Sequence, residues 1–242
     1  MQKNPLPTLN SPSLVATLPI SKQKVKYRPF VVGEQQALVL AQESEDEDAI
    51  FETISDVLTQ CTGNTINIKS LSLADLSYLF LQLHIASVGQ EIQVTTECEN
   101  SDCKHEILIN LNLNQVYTTE VNDNKVFLTQ DVGIIFNYPT YEDTFALAKY
   151  HNDPIAGIYH LIVSIFDSDM VYDKSDYSLE EFKKWFLQMN DDQLGKIYKF
   201  VDDLPELVYD LKYTCPKCRH EHSKRLEGLH TFFRISSERV LA

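Results

Sequence analysis

Four of the five cysteines in this chain fall in two short pairs, Cys98 with Cys103 and Cys215 with Cys218, and 111 residues lie between the pairs. Each pair occupies a tip beside stretches that read as β-strands. Glu91–Glu97 leads into the first tip and Glu106–Leu111 leaves it, while Glu206–Thr214 leads into the second. Alternating Val, Ile, Thr and Tyr bounded by turn residues is the pattern of half-buried strands. Two cysteine knuckles on hairpins predict a four-thiolate zinc site, because zinc takes tetrahedral sulfur ligands at about 2.3 Å. If the pairs meet, hairpins far apart in sequence are clamped together. No other feature restricts the available folds as much.

The second knuckle, Cys-Pro-Lys-Cys, has two residues between its cysteines, and the first, Cys-Glu-Asn-Ser-Asp-Cys, has four, the upper end of zinc-knuckle spacing. His105, His220 and His222 stand close enough in sequence to replace a cysteine as ligand. Reduced structural thiols, a redox Cys-x-x-Cys and a disulfide framework are the other readings. A disulfide framework suits short secreted chains. The N-terminal ten residues lack the apolar run of a signal sequence, so the expectation is a protein kept in the cytoplasm. A redox pair is expected near a βαβ pattern opening a helix, whereas Cys215 follows a strand. Cys61, at the end of a predicted helix, reads as a buried small apolar residue.

The net charge of −14 is unevenly placed. Residues 1–33 carry +5 and residues 212–242 carry +4, which leaves −23 on 34–211. An acidic body repels nucleic acid, whose affinity rests on phosphate neutralisation, and favours basic protein surfaces. No uncharged apolar run approaches the ~20 residues of a membrane span.

Residues 1–20, with Pro5, Pro7, Pro12 and Pro19, read as an extended arm without a core of its own. Lys22–Val32 reads as a strand ending at Pro29, so that 1–32 forms an arm and strand. Residues 33–89 are expected to be helical, over Gln35–Glu43, Glu45–Cys61 and Leu73–Ser87. Ser72 caps the last of these, with Asp75 three residues on. Residues 90–140 and 206–225 form the β region with the knuckles. Between them 141–205 is a helical insertion, with helices over Tyr141–His151, Pro154–Phe166, Leu179–Met189 and Asp191–Val201. Thr140 and Ser178 supply N-caps and Pro154 suits a first helical turn. A C-terminal segment, 226–242, opens with a short helix over Leu226–Phe233. The fold class is therefore α+β: helical segments packed around a small antiparallel sheet that carries a split, zinc-ribbon-like pair of knuckles.

Chemistry beyond the metal is hard to place. There is no Gly-rich phosphate loop and no nucleophile elbow. The acidic clusters Glu43–Asp48, Asp167–Asp169 and Asp202–Asp203 lie at helix ends or turns, where acids are capping or solvated. His151-Asn-Asp153 also spells a helix end, and His84 sits mid-helix, packed rather than poised. Four thiolates leave zinc no open position for a substrate. The expectation is no enzymatic activity. Basic residues Lys217, Arg219, Lys224 and Arg225 beside the second knuckle keep a zinc-ribbon nucleic-acid module as the alternative. Tyr27, Phe30, Phe232 and Phe233, near the chain ends, are either core or interface aromatics.

Several ordered stretches resemble a known family. These are Lys26–Phe30 running into a helix with Leu38 and Leu40–Glu43; Leu71–Leu83 closing with Ser87-Val-Gly89; Cys98 and Cys103 between two strands; and Asp131–Thr140. Over most of 15–220 the chain resembles the baseplate hub and hub-assembly proteins of T-even-like contractile-tailed bacteriophages. The resemblance implies a non-enzymatic virion structural component or assembly factor of the tail baseplate. It also implies other baseplate or hub proteins as partners, with copies of itself in a symmetric assembly. The expected location is the virion tail, or the host cytoplasm during assembly. Cys98, Cys103, Cys215 and Cys218 are then structural ligands, and nucleic acid is not expected as a partner.

Overall fold

A computed structural model describes residues 9–44 and 46–228, with the side chains of Glu47 and Phe145 set aside. In chain order the first elements are β1 (Leu14–Thr17), β2 (Lys24–Tyr27), α1 (Val32–Glu43), α2 (Glu47–Cys61) and α3 (Leu73–Ser87). Then come β3 (Glu91–Glu97), β4 (Glu106–Asn112), β5 (Tyr117–Thr118), β6 (Lys125–Phe127) and β7 (Gly133–Phe136). Next are α4 (Tyr141–Lys149), α5 (Pro154–Leu161), β8 (Ile162–Phe166), β9 (Val171–Asp173) and α6 (Leu179–Phe186). The last are α7 (Asp191–Asp202), β10 (Leu207–Thr214) and β11 (Glu221–Glu227). Helices are thus mixed with small antiparallel sheets. The expectation of one small sheet is corrected: among the described residues the strands form four, ordered β1-β2, β3-β4, β11-β10-β5 and β6-β7-β8-β9.

The chain divides into two compact units that interleave in sequence. The first comprises the described residues up to Ile68, Ser77–Tyr117 and those from Val208 onward; the second is Lys69–Leu76 with Thr118–Leu207.

In the first unit, Leu14–Thr17 is a strand rather than part of a coreless arm. It pairs antiparallel with β2, Val15 opposite Lys26 and Thr17 opposite Lys24. Ala16, Leu18, Val25 and Tyr27 are buried on one side, and this period-two pattern is what holds the arm down. Tyr27 and Phe30 are therefore core aromatics. Phe232, Phe233, Pro5 and Pro7 lie outside the described residues, as does most of the helix expected over Leu226–Phe233; its first two positions belong to β11.

The end of β2 is tied to both following helices. The Arg28 guanidinium donates to both Glu34 oxygens at 2.9 and 2.7 Å, and the Val31 N–H donates to Glu34 at 2.8 Å across the first turn of α1. The Arg28 N–H donates to the Cys61 carbonyl at 3.0 Å, at the last turn of α2. The Arg28 guanidinium holds the buried Glu34 carboxyl below the usual carboxylate range. Burial pushes the neighbouring Cys61 thiol up to about 12, so it stays protonated, as expected of a buried small residue.

In the second unit β6, β7, β8 and β9 form a meander whose inner side carries Val126, Ile134, Phe136 and Ile162. Against these pack Ile158 and Leu161 of α5, Phe182 and Phe186 of α6, and Ile197 and Phe200 of α7. The helix expected over Pro154–Phe166 is corrected here. It ends at Leu161, and Ile162, with ψ of 136°, starts a strand. The run Ile-Val-Ser-Ile-Phe is β-branched and aromatic, and those side chains fit a pleated surface better than a helix. Segment 141–205, read as helical, thus also carries β8 and β9. The capping expectations hold: Thr140 with Asp143, and Ser178 with Glu181, form reciprocal boxes at the starts of α4 and α6.

Candidate metal centre

Both knuckles sit where the sequence puts them, Cys98 and Cys103 between β3 and β4, and Cys215 and Cys218 between β10 and β11. Seven cross-strand pairs in each hairpin, from Glu91↔Asn112 to Glu97↔Glu106 and from Val208↔Glu227 to Thr214↔Glu221, carry the tips on regular ladders. All these residues belong to the first unit.

The two tips close in the same way despite their unequal spacing. The N–H of each first cysteine donates to the carbonyl two residues beyond the second: Cys98 to His105 at 2.8 Å and Cys215 to His220 at 2.9 Å. The residue directly after each second cysteine turns left-handed, Lys104 at φ 42° and Arg219 at φ 59°. A non-glycine residue there costs roughly 1–2 kcal/mol. Backbone N–H groups at both tips face the sulfurs. Asn100 donates to Cys98, His105 to Cys103, and Lys217 and Cys218 to Cys215. The two additional residues of the first tip are absorbed by Asn100, whose carbonyl accepts from Cys103 and Lys104 at 2.9 and 3.2 Å.

The four sulfurs converge, all lying within 4.8 Å of one another. Two edges of the group cross between the hairpins, Cys98–Cys218 at 3.6 Å and Cys103–Cys215 at 3.9 Å. A tetrahedron with metal–sulfur bonds of about 2.3 Å has edges of about 3.8 Å, so the spacing fits a soft tetrahedral cation. Cys98 and Cys215 are buried, Cys103 is half-buried and Cys218 is exposed. Ile107 is buried among them, with Ile109 and Tyr213 packed alongside.

Protonation in this group is uneven. Burial pushes the Cys98 thiol up to about 12, against the pull of the Asn100 N–H. Burial also raises Cys103. At Cys215 burial again acts upward, but the Cys218 and Lys217 N–H groups with the Cys218 and Cys98 thiols outweigh it and bring it down to about 7. Cys215 is thus easier to ionise than Cys98 and Cys103, and a cation held by the group would favour the thiolate form of those two.

Of the three histidines near the knuckles, His105 and His220 supply the carbonyls that close the tips. His222 lies outside the sulfur group, yet its Nε2 is 3.3 Å from Cys98 Sγ. Sequence spacing pointed to it as a substitute ligand; its place beside a sulfur follows from register, because Tyr213 pairs with His222 across β10 and β11.

The other flagged groups are structural in geometry. Asp46 caps α2 by accepting from Asp48 and Ala49. Asp153 caps α5 and pairs with Lys183 at 2.8 Å. Asp167 closes the β8–β9 turn by accepting from Asp169 and Met170, and Asp203 is the C-cap of α7. His84 is buried within α3.

Among the described residues no helix is long and apolar enough to cross a membrane. No curated protein and no solved structure matches the chain. A family model described as T4 bacteriophage base plate protein matches residues 11–234, nearly the whole chain and both knuckles. The ordered stretches that carried the resemblance all lie within that match, and the chain belongs to the T4 bacteriophage base plate protein family.

Proposed function

We propose that this chain is a non-enzymatic structural or assembly protein of the hub region of a contractile phage tail baseplate, acting through protein–protein contacts. It binds one zinc ion through Cys98, Cys103, Cys215 and Cys218, and the metal fixes the β3–β4 hairpin to the β10–β11 hairpin. The observation that carries the metal is the sulfur group, whose cross-hairpin edges of 3.6 and 3.9 Å match a tetrahedral zinc–thiolate site. The family match carries the baseplate reading. Four protein ligands fill the tetrahedron, so zinc supplies shape and no Lewis-acid position.

Docking is assigned to the outer face of the β1–β2 hairpin. There Lys24 and Lys26 are exposed beside exposed Val15 and Thr17. The match to acidic surfaces, on copies of this chain or on neighbouring tail proteins, is electrostatic. Removing residues 1–30 would be a poor test, since Leu18, Val25, Tyr27 and Phe30 are buried. Reversing Lys22, Lys24 and Lys26 to Glu leaves those positions intact. In a pull-down with purified tail proteins the reversed chain is expected to lose its partners, and unchanged recovery sinks the docking assignment. A mass-spectrometric inventory of mature tails separates a resident subunit from a factor that leaves after assembly. For the metal, element analysis is expected to give about one zinc per chain, and Cys215→Ser to release it with loss of folding stability. Binding of DNA with a steep salt dependence would instead favour a nucleic-acid module.

A further inference from the structure

We propose that His222 is the positioning residue of the metal centre. Its Nε2–H donates to the metal-bound Cys98 sulfur, holding that ligand and drawing off part of its negative charge. This inference rests on the zinc reading above.

Three observations on β11 and its neighbours carry it. The His222 side chain is only 1% exposed, so its polar atoms must find partners inside the protein. Its ring stacks on Tyr213 with centroids 4.7 Å apart and planes 15° from parallel, and the His220 ring meets it edge-on at 4.8 Å. The imidazole is thus held on two sides, and the position of Nε2 is set by packing. Finally, Nε2 lies 3.3 Å from Cys98 Sγ, while Nδ1 makes no hydrogen bond and is 3.8 Å from the nearest Glu99 oxygen.

The tautomer follows from these contacts. A thiolate bound to a metal carries no proton and is only an acceptor. A bare Nε2 lone pair facing it would be repulsive, whereas Nε2–H completes a hydrogen bond. Placing the proton on Nδ1 would leave a buried N–H without an acceptor, the rarer and costlier defect. The Nε2–H form satisfies the sulfur side of the ring and leaves on the other side only an unpaired acceptor, the lesser defect. Cys98 then receives two donors, the Asn100 N–H and the imidazole. A four-thiolate zinc centre carries two net negative charges, and its Cys98 and Cys215 sides are buried. Donors around it offset charge that solvent does not.

The test uses the full chain. In wild-type protein reconstituted with cadmium-113, nitrogen-15 NMR of the histidine side chains is expected to show His222 protonated on Nε2. A coupling across the N–H···S–Cd path is expected with it. His222→Phe, which keeps the stack on Tyr213 but has no donor, is expected to bind zinc about 10–100-fold more weakly. Alkylation of Cys98 by iodoacetamide is expected to be faster in that variant. His222→Gln, which restores an N–H donor, is expected to recover most of the affinity. If the Phe variant does not fold, the wild-type tautomer and the Gln variant still decide. Protonation on Nδ1, an X-ray absorption shell of three sulfurs and one nitrogen, or unchanged affinity and alkylation in His222→Phe overturns the inference while leaving zinc in place. Wild-type protein that takes up no metal overturns the zinc reading itself.

Discussion

At the residue scale the molecule is governed by buried groups whose ionisation the fold controls. His84 shows the logic most simply, because it lies in the body of α3 rather than at a knuckle and is 1% exposed. Burial pushes its pKa from 6.5 down to about 4. The unfolded chain therefore binds a proton that the folded chain refuses between those two values. Stability contributed by neutral His84 is fully present above about pH 6.5 and is lost as pH falls toward 4. A full loss of this kind is worth on the order of 3 kcal/mol. Urea titrations at pH 7 and pH 5 are expected to show a smaller drop for His84→Gln than for the wild type; equal drops would show that His84 does not set the acid limit. From the sequence it was clear that His84 packs, because a lone histidine mid-helix among Leu, Phe and Ile has few other fates. That His222 faces a sulfur was not clear. Its neighbour Cys98 is 124 positions away, and only the hairpin registers bring the two together.

Elements divide by how local their causes are. Helix starts were legible because capping is written within four residues: Ser178 with Glu181, and Thr140 with Asp143, are pairs a reader can see. The knuckle strands were legible for the same reason, since alternation and a cysteine tip lie side by side. Strands β1 and β8 were not. Leu14–Thr17 becomes a strand only because Lys24–Tyr27 returns to pair with it, and Ile162–Phe166 because β7 lies alongside. Gly133 shows how specific that second pairing is. It sits opposite Phe166, whose ring lies where a side chain would go, and a Cβ there would meet Phe166 Cζ at 2.4 Å and the Val126 carbonyl oxygen at 2.8 Å. The aromatic ring can shift but the strand backbone cannot do so cheaply. Gly133→Ala is expected to cost about 1–3 kcal/mol, read as a lower denaturation midpoint. An unchanged midpoint would mean that β6 and β7 move apart freely.

Across the whole molecule, the interleaving of the two units is what the sequence hid most completely. Contiguous reading assigns 90–140 to one β region, whereas β3 and β4 fall in the first unit and β6 and β7 in the second. No local pattern reports that division; it depends on which strands find each other. The four-cysteine group lies wholly in the first unit, so removing a metal held there should act unevenly. Chelation is expected to speed hydrogen exchange in β3, β4, β10 and β11 and to leave β6, β7 and β8 near their original protection. Uniform loss of protection would show that the two units unfold as one.

The order of the chain also makes the first unit a matter of timing. Its knuckles leave the ribosome more than a hundred residues apart, with nearly all of the second unit made between them. At about 5–20 residues per second the Cys98 hairpin waits roughly 6–24 seconds for Cys215 and Cys218. During that interval it holds two thiols and no complete ligand set. The second unit can fold in the meantime, so any metal the four cysteines take up is captured late in synthesis rather than at its nucleus.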